Sequence, residues 1–349
     1  MTNETLTRPA PVTVGAPPSA RDRLIRWGGG AVLVVAFYFL PALLGGSLRI
    51  YDTVVVIGIY ALMVYGVDLL LSYLGDISLG HTAFWAAGAY ATAVCATSYG
   101  WNSWATLAIS IVLCLVLATI LGGAVYKSRA FIFTLSTYAA AVVLSNIAHN
   151  WELVGGSDGI VGIPFLDLSI GPINMATRSV QDMWPIVYVI LVLVILAVSR
   201  FRHSKLARTS LMAYMSPDLA TAMGVNVSRA RFLLLVISSV PPAIAGWLYA
   251  YYRAYVGTDL FEMYFLIIML TAAAIVGRRV LLGPVVGVAL IVTQQNLFSL
   301  GGEIDKLILG TVLVVVLVVW PSGLVGVWHL VKRLVLRALG RRERRVSAE

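Results

Sequence analysis

Charged side chains are scarce in this chain of 349 residues: Asp, Glu, Lys and Arg make up 12% of it, against about 25% in a soluble domain. Hydrophobic residues reach 60% and the mean hydropathy is +0.90. Those values exclude a water-soluble globular protein and a disordered one. The net charge of +9 does not point to nucleic acid, because in so apolar a chain basic charge orients helices in a bilayer. Cysteine is limited to Cys95 and Cys114, both inside apolar runs and without a CxxC pair, so neither a disulfide framework nor a metal site is expected. The four histidines, His81, His149, His203 and His329, are scattered. No GxxxxGK[ST] or HExxH sequence occurs, which leaves no nucleotide-binding loop and no clustered acid, base and metal set. The expectation is a protein that is not an enzyme and holds no cofactor of its own.

What the sequence has instead is a series of long apolar runs. A helix that spans a membrane needs roughly 20 residues, and ten spans are predicted, near 28–45, 50–73, 79–98, 104–126, 131–149, 184–200, 231–251, 264–277, 281–299 and 306–321. The eighth is short, and is read as tilted, broken or extended at its start by Phe261 and Tyr264. The expected fold class is all-α, a polytopic membrane helix bundle with both termini on one side.

Basic residues test that count. The side of the termini receives Arg8, Arg21, Arg23, Arg26, Lys127, Arg129, Arg200, Arg202, Lys205, Arg208, Arg229, Arg231, Arg278, Arg279, Lys332, Arg333, Arg337, Arg341, Arg342, Arg344 and Arg345. The opposite side receives only Arg49, Arg178, Arg253 and Lys306. Positive loops resist translocation, so the termini are assigned to the cytoplasm. Residues 1–27, Pro- and Thr-rich and then basic, are expected to be a disordered cytoplasmic tail rather than a cleaved signal peptide. Residues 28–321 form the membrane domain and 322–349 a basic cytoplasmic tail.

Several polar features interrupt the apolar background. The outer connection near 150–183 holds Gly155, Gly156, Ser157, Asp158 and Gly159, then Gly162, Pro164, Gly171 and Pro172, a density of Gly and Pro that predicts turns. Asp68 lies within the second span, and an ionisable residue there is a functional candidate unless it is protonated or paired near the cytoplasmic end. Thr134, Thr137, Tyr138, Ala141, Ser145 and His149 recur at three- and four-residue spacing on one face of the fifth span. That stripe either lines a translocation path or packs against another helix. Gln294, Gln295 and Asn296 form a second polar group near the outer end of the ninth span. Gly80, Phe84 and Gly88 make a packing ridge on the third. Gly75–His81 and Gly277–Pro284 both turn the chain at the cytoplasmic face before a span, a faint trace of an internal repeat.

The long inner connection, 201–230, is the most informative stretch. Ser216-Pro217-Asp218 reads as a helix start: a good N-cap, a proline at the first position and an acid at the positive dipole end. Gly224 fits the left-handed stop after Met223. Two turns of helix are not stable alone in water. Leu219 and Met223, at i,i+4, form an apolar face that requires a socket, with lipid-surface binding as the weaker possibility because the helical part lacks Lys and Arg. The combination suggests a pore subunit driven by a partner.

Four blocks then carry a resemblance. They are Asp68-Leu-Leu-Leu-Ser-Tyr-Leu-Gly75-Asp76-Ile-Ser-Leu-Gly80-His81-Thr-Ala-Phe84, Asn150-Trp151 with Gly155–Gly159, Ala222-Met223-Gly224-Val225-Asn226-Val227, and Leu282-Gly283-Pro284. In this order, across roughly residues 50 to 300, the chain resembles the LivM-type membrane permeases of ABC importers for branched-chain amino acids. The resemblance implies an inner-membrane subunit that pairs with a second homologous permease to form the path for branched-chain or related small amino acids or amides. Two ABC ATPase subunits would bind the ATP, and an external solute-binding protein would deliver the substrate. The helix at Ser216–Met223 would be the ATPase-coupling helix, and Gly155–Gly159 an outer docking loop. Candidates for the path are Asp68, His81, Thr134, Thr137, Tyr138, Ser145 and Gln294. Three departures from the family pattern stand out: acids at Asp68 and Asp76 where amides are usual, a coupling segment with little charge, and Arg278-Arg279 in a turn that is usually Gly-rich. A self-sufficient secondary carrier or channel using Asp68 is the competing reading, and a membrane enzyme acting on lipids a third.

Overall fold

The protein is described by a computed structural model at residues 35–126, 128, 130–169 and 175–297, and at 304, 307, 308 and 311. The tails 1–27 and 322–349, residues 28–34 of the first expected span, most of the tenth, and Lys127, Arg129, Gly171 and Pro172 lie outside the described residues. The chain divides after Gly45 into two units. In the first, Leu40–Leu43 makes a single helical turn with Pro41 near its start.

The second unit contains the bundle, and side-chain caps set its helix starts. Helix α1 is Leu48–Tyr73, opened by Ser47; α2 is His81–Thr97; α3 is Ser103–Val125, whose cap Asn102 accepts from the Ala105 N–H at 2.8 Å. Helix α4 is Ala130–Asn150, and α5, Val180–Phe201, starts in a reciprocal capping box between Ser179 and Asp182. The cytoplasmic helices α6, Lys205–Met215, and α7, Pro217–Ala222, follow. Helices α8, Val227–Ser238, and α9, Val240–Arg253, complete one crossing. Helix α10 is Met263–Val276 and α11 Gly283–Leu297. Strands β1, Ile160–Val161, and β2, Tyr255–Val256, pair antiparallel on the outer side.

Eight of the ten expected spans therefore coincide with described helices to within a few residues. Five of the crossings are long and apolar enough to span a membrane. The crossing 227–253 is interrupted at Ser239 because Pro241 and Pro242 have no N–H to donate to the preceding turn. Helix α10 is the short eighth run, and its 14 residues reach about 21 Å, less than the hydrocarbon thickness of ~30 Å. Phe261 does not extend it: that residue ends a separate 3₁₀ turn, Thr258–Phe261, and the helix begins after Glu262.

The core is built around α1, which is buried without interruption from Gly58 to Tyr73. Helices α5, α9, α10 and α11 pack on it, and α9 also lies along α2. Two glycines make that second contact close. A Cβ at Gly88 would stand 3.0 Å from the Ala243 Cα, and one at Gly246 would meet the Trp85 carbonyl and come within 2.8 Å of the Ala89 nitrogen. Small residues of this kind let membrane helices approach backbone to backbone. Gly246→Ala is expected to destabilise the bundle by about 1–3 kcal/mol, because backbone atoms cannot yield as a side-chain tip does. Gly123→Ala, with no atom within 4 Å of its Cβ, is the neutral control. The monodisperse fraction on size exclusion in detergent, measured against temperature, distinguishes the two.

Helices α3 and α4 turn Val112, Val116, Ile120, Leu135, Val143 and Ile147 outward, which is the surface a bilayer solvates. A hollow of about 660 Å³ between α3, α5 and the α8–α9 crossing is lined by apolar residues such as Leu107, Pro185, Ile186, Val240 and Ile244. A zwitterion finds no partner there.

Candidate functional site

Local sequence builds the cytoplasmic knob. Ser216 is extended, and its hydroxyl accepts from the Leu219 N–H, while Pro217 occupies the first turn. Beyond Ala222 the chain closes through Met223 N–H to the Leu219 carbonyl at 3.0 Å and Val225 N–H to the Ala220 carbonyl at 2.9 Å, with Gly224 left-handed at φ +81°. These bonds satisfy the carbonyls a helix end leaves open. Ala220 is buried against the rest of the knob, while Met215, Leu219 and Met223 are 77%, 61% and 67% exposed. Leu219 and Met223, four residues apart, form one apolar face of α7, and among the described residues nothing covers it or Met215 at the end of α6. Helix α6 was absent from the sequence expectation for 201–230. Its cap, Ser204 accepting from the Ala207 N–H at 3.1 Å, and its buried face of Ala207, Ser210 and Ala213 were the available sign.

Two ionic assemblies fasten this region to the membrane helices. Arg231, at the start of α8, donates from Nε to Asp76 at 2.6 Å and from its terminal nitrogen to the Ser128 carbonyl at 2.7 Å. Asp76 is 4% exposed and Arg231 18%. Burial pushes the Asp76 carboxyl above the usual carboxylate range, and the guanidinium draws it back only in part. The second assembly surrounds Asp68. Its Oδ1 accepts from the Ser72 hydroxyl at 2.8 Å, and the Arg202 guanidinium interacts with the same carboxyl. Ser72 also binds the turn 277–282: its Oγ accepts from the Arg279 N–H at 2.9 Å and its carbonyl from Arg279 Nε at 3.2 Å. Asp68 thus lies near the cytoplasmic end of α1, with a cation brought to it by Arg202 at the end of α5 and with Ser72 linking it to Arg279 of the α10–α11 turn.

The remaining path candidates separate. Thr134 donates to the Ile77 carbonyl at 2.7 Å, and fully buried Thr137 accepts from the Leu79 N–H at 3.2 Å, so both hold the turn that leads into α2. Farther along the same helix Tyr138 is exposed and Ser145 half-buried. His81 is fully buried, 3.2 Å from the Ser238 hydroxyl and edge-on to Phe84. Gln294 is half-buried; its neighbours Gln295 and Asn296 donate to Tyr264 and Thr53 at 3.1 Å each. Helix α4 packs on α2 and α3, and α11 on α1 and α10, so the stripe and Gln294 belong to different helix pairs.

On the outer side the candidate docking loop is a built structure. Glu152–Val154 forms a 3₁₀ turn, and Gly155, Gly156 and Gly159 take φ of +85°, +55° and +73°. Ser157 and Asp158 are exposed at its tip. Pairing of Ile160 with Val256 and of Val161 with Tyr255 ties the loop to the segment between α9 and α10. That pairing had no sign in the sequence beyond three β-branched residues, Ile160, Val161 and Val256.

Comparison with known proteins follows this geometry. The family described as branched-chain amino acid transport system / permease component matches residues 49–317. The high-affinity branched-chain amino acid transport system permease protein LivM of Salmonella typhimurium is 22% identical over 314 residues, 84% of this chain and 73% of that protein. LivM of Escherichia coli is 22% identical over 317 residues, 84% and 72%. LivH of Salmonella typhimurium is 24% identical over 289 residues, 76% and 91%. No solved structure matches.

Proposed function

We propose, from the premise that the chain belongs to the family of branched-chain amino acid transport permease components, that it forms one half of an ATP-driven import path in the inner membrane. A second, homologous permease supplies the other half, two ABC ATPase subunits bind and hydrolyse the ATP, and an external solute-binding protein brings branched-chain or related small amino acids or amides. The observation that carries the reading is the exposed apolar face of Leu219 and Met223 on a capped cytoplasmic helix, with Met215 exposed just before it. An apolar stripe held rigid in water is stable only against a partner, and a carrier working alone has no use for one. Tyr138, Ser145 and Gln294 remain the side chains suited to a wet path, and Gly155–Gly159 suits docking of the binding protein because its tip is exposed while its base is pinned to β2.

Affinity purification in mild detergent tests the proposal: a P-loop ATPase and a second multispan protein are expected to co-elute. A chain that elutes alone and transports without ATP overturns it. Within the reconstituted complex, Asp68→Asn is expected to keep uptake within about twofold and leave its pH dependence unchanged, because an amide oxygen still accepts the Ser72 hydroxyl. Loss of uptake together with a shifted pH profile would instead favour a proton- or cation-coupled carrier.

A further inference from the structure

At the cytoplasmic end of α1, segments far apart in sequence meet through a continuous set of polar contacts. Tyr214 stands two residues before the cap of α7, and its ring lies over Gly75, at φ +69°, where a Cβ would strike the ring. Arg278 donates to the Tyr214 hydroxyl at 2.6 Å. Both arginines of the turn also stand over that ring, at 5.6 Å for Arg278 and 6.0 Å for Arg279. Arg279 then holds Ser72 through its N–H and Nε, Arg202 donates to the Arg279 carbonyl, and Tyr65 donates to the Leu281 carbonyl at 2.7 Å. Arg279 itself is left-handed at φ +64°, a conformation disfavoured for side chains other than glycine and sustained only where surroundings impose it.

The arrangement matters because, among the described residues, α7 packs chiefly on α6 and α8. A load on the knob needs a stiff route to the core, and charge-assisted hydrogen bonds supply one. We propose that the turn 277–282 is a relay that carries displacement of the α6–α7 segment into α1, with Tyr214, Arg278, Arg279 and Ser72 as positioning residues. The inference rests on the reading of α7 as the seat of an ATPase and deepens it by naming how movement reaches the buried helix. Since α1 is packed on all sides from Gly58 onward, displacement at its cytoplasmic end is passed along the whole helix instead of being lost in a loop.

The test uses the complete importer in proteoliposomes, with uptake of radiolabelled leucine, isoleucine and valine measured against ATP hydrolysed. The variant is Tyr214→Phe combined with Arg279→Gly. The first change keeps the ring over Gly75 and removes the hydroxyl. The second removes the guanidinium and relieves the left-handed φ, so a turn with no part in coupling predicts normal assembly and unchanged transport. The relay predicts normal co-elution of the ATPase, hydrolysis within about twofold of the parent, and uptake per ATP lower by at least about fivefold. Parental uptake per ATP in the assembled variant overturns the relay. Failure of the variant to assemble also overturns it, by making the turn structural. A parent complex whose uptake of these amino acids does not depend on ATP overturns the importer reading itself, which is visible before any variant is compared.

Discussion

Leu219→Asp is expected to strip the ATPase subunits from the permease in detergent while the chain inserts and elutes as a monodisperse species. The local fold does not depend on that side chain: Ser216, Pro217 and Gly224 set the ends of α7, and Leu219 contributes only backbone to its bonds. An acid in the first turn of a helix is favourable, so the knob itself is not weakened. The cost falls on the interface. A leucine buried there contributes about 1.5–3 kcal/mol, and an unpaired aspartate in the same socket costs several kcal/mol more. Together these exceed ~4 kcal/mol, a loss of roughly a thousandfold in affinity. Co-elution of the ATPase and ATP-driven uptake are the two readouts. A variant that assembles and transports like the parent removes α7 from the coupling role and leaves the exposed stripe without a function.

Arg231→Met is expected to be the most destabilising single change outside the tightly packed helices. It removes the cation from a carboxylate that is 4% exposed and takes a donor from the Ser128 carbonyl. Breaking a buried pair by deleting one member costs about 3–5 kcal/mol, because the other charge stays behind without a partner. The 18% exposure of Arg231 places the effect toward the lower end of that range. Asp76→Asn combined with Arg231→Met is expected to recover most of the loss, since no buried charge then remains. Thermal unfolding in detergent across the two single variants and the double gives the coupling directly. Equal melting temperatures for Arg231→Met and the parent would show that the pair contributes nothing net.

The helices were legible because bilayer-spanning segments advertise themselves by length and hydropathy. Val180–Phe201 and Ser103–Val125 needed only a window of apolar residues and a cap, and both lie where expected. Helix α7 was legible for a different reason: Ser216, Pro217, Asp218 and Gly224 are local punctuation, and a helix of six residues is almost entirely its two ends. The partners of the charges were not legible. Asp76 meets Arg231 across 155 residues of sequence, and Ser72 meets Arg279 across 207, separations at which no periodicity operates. The stripe of small and polar residues on α4 illustrates the same boundary. Its spacing gave the shared face, but whether Thr134 and Thr137 face a path or a neighbouring turn depended on where the Ile77–Gly80 segment returns.

The glycine-mediated approach of α9 to α2 determines where this subunit does not bend. Helices separated by bulky side chains slide by exchanging rotamers, whereas two backbones in contact at Gly88 and Gly246 have no interlayer left to shear. Helices α1, α2 and α9, which also share the buried aromatic rings of Tyr60, Trp85 and Tyr249, therefore travel as one rigid wedge. Movement in such a subunit is then expected at the wedge's borders rather than within it.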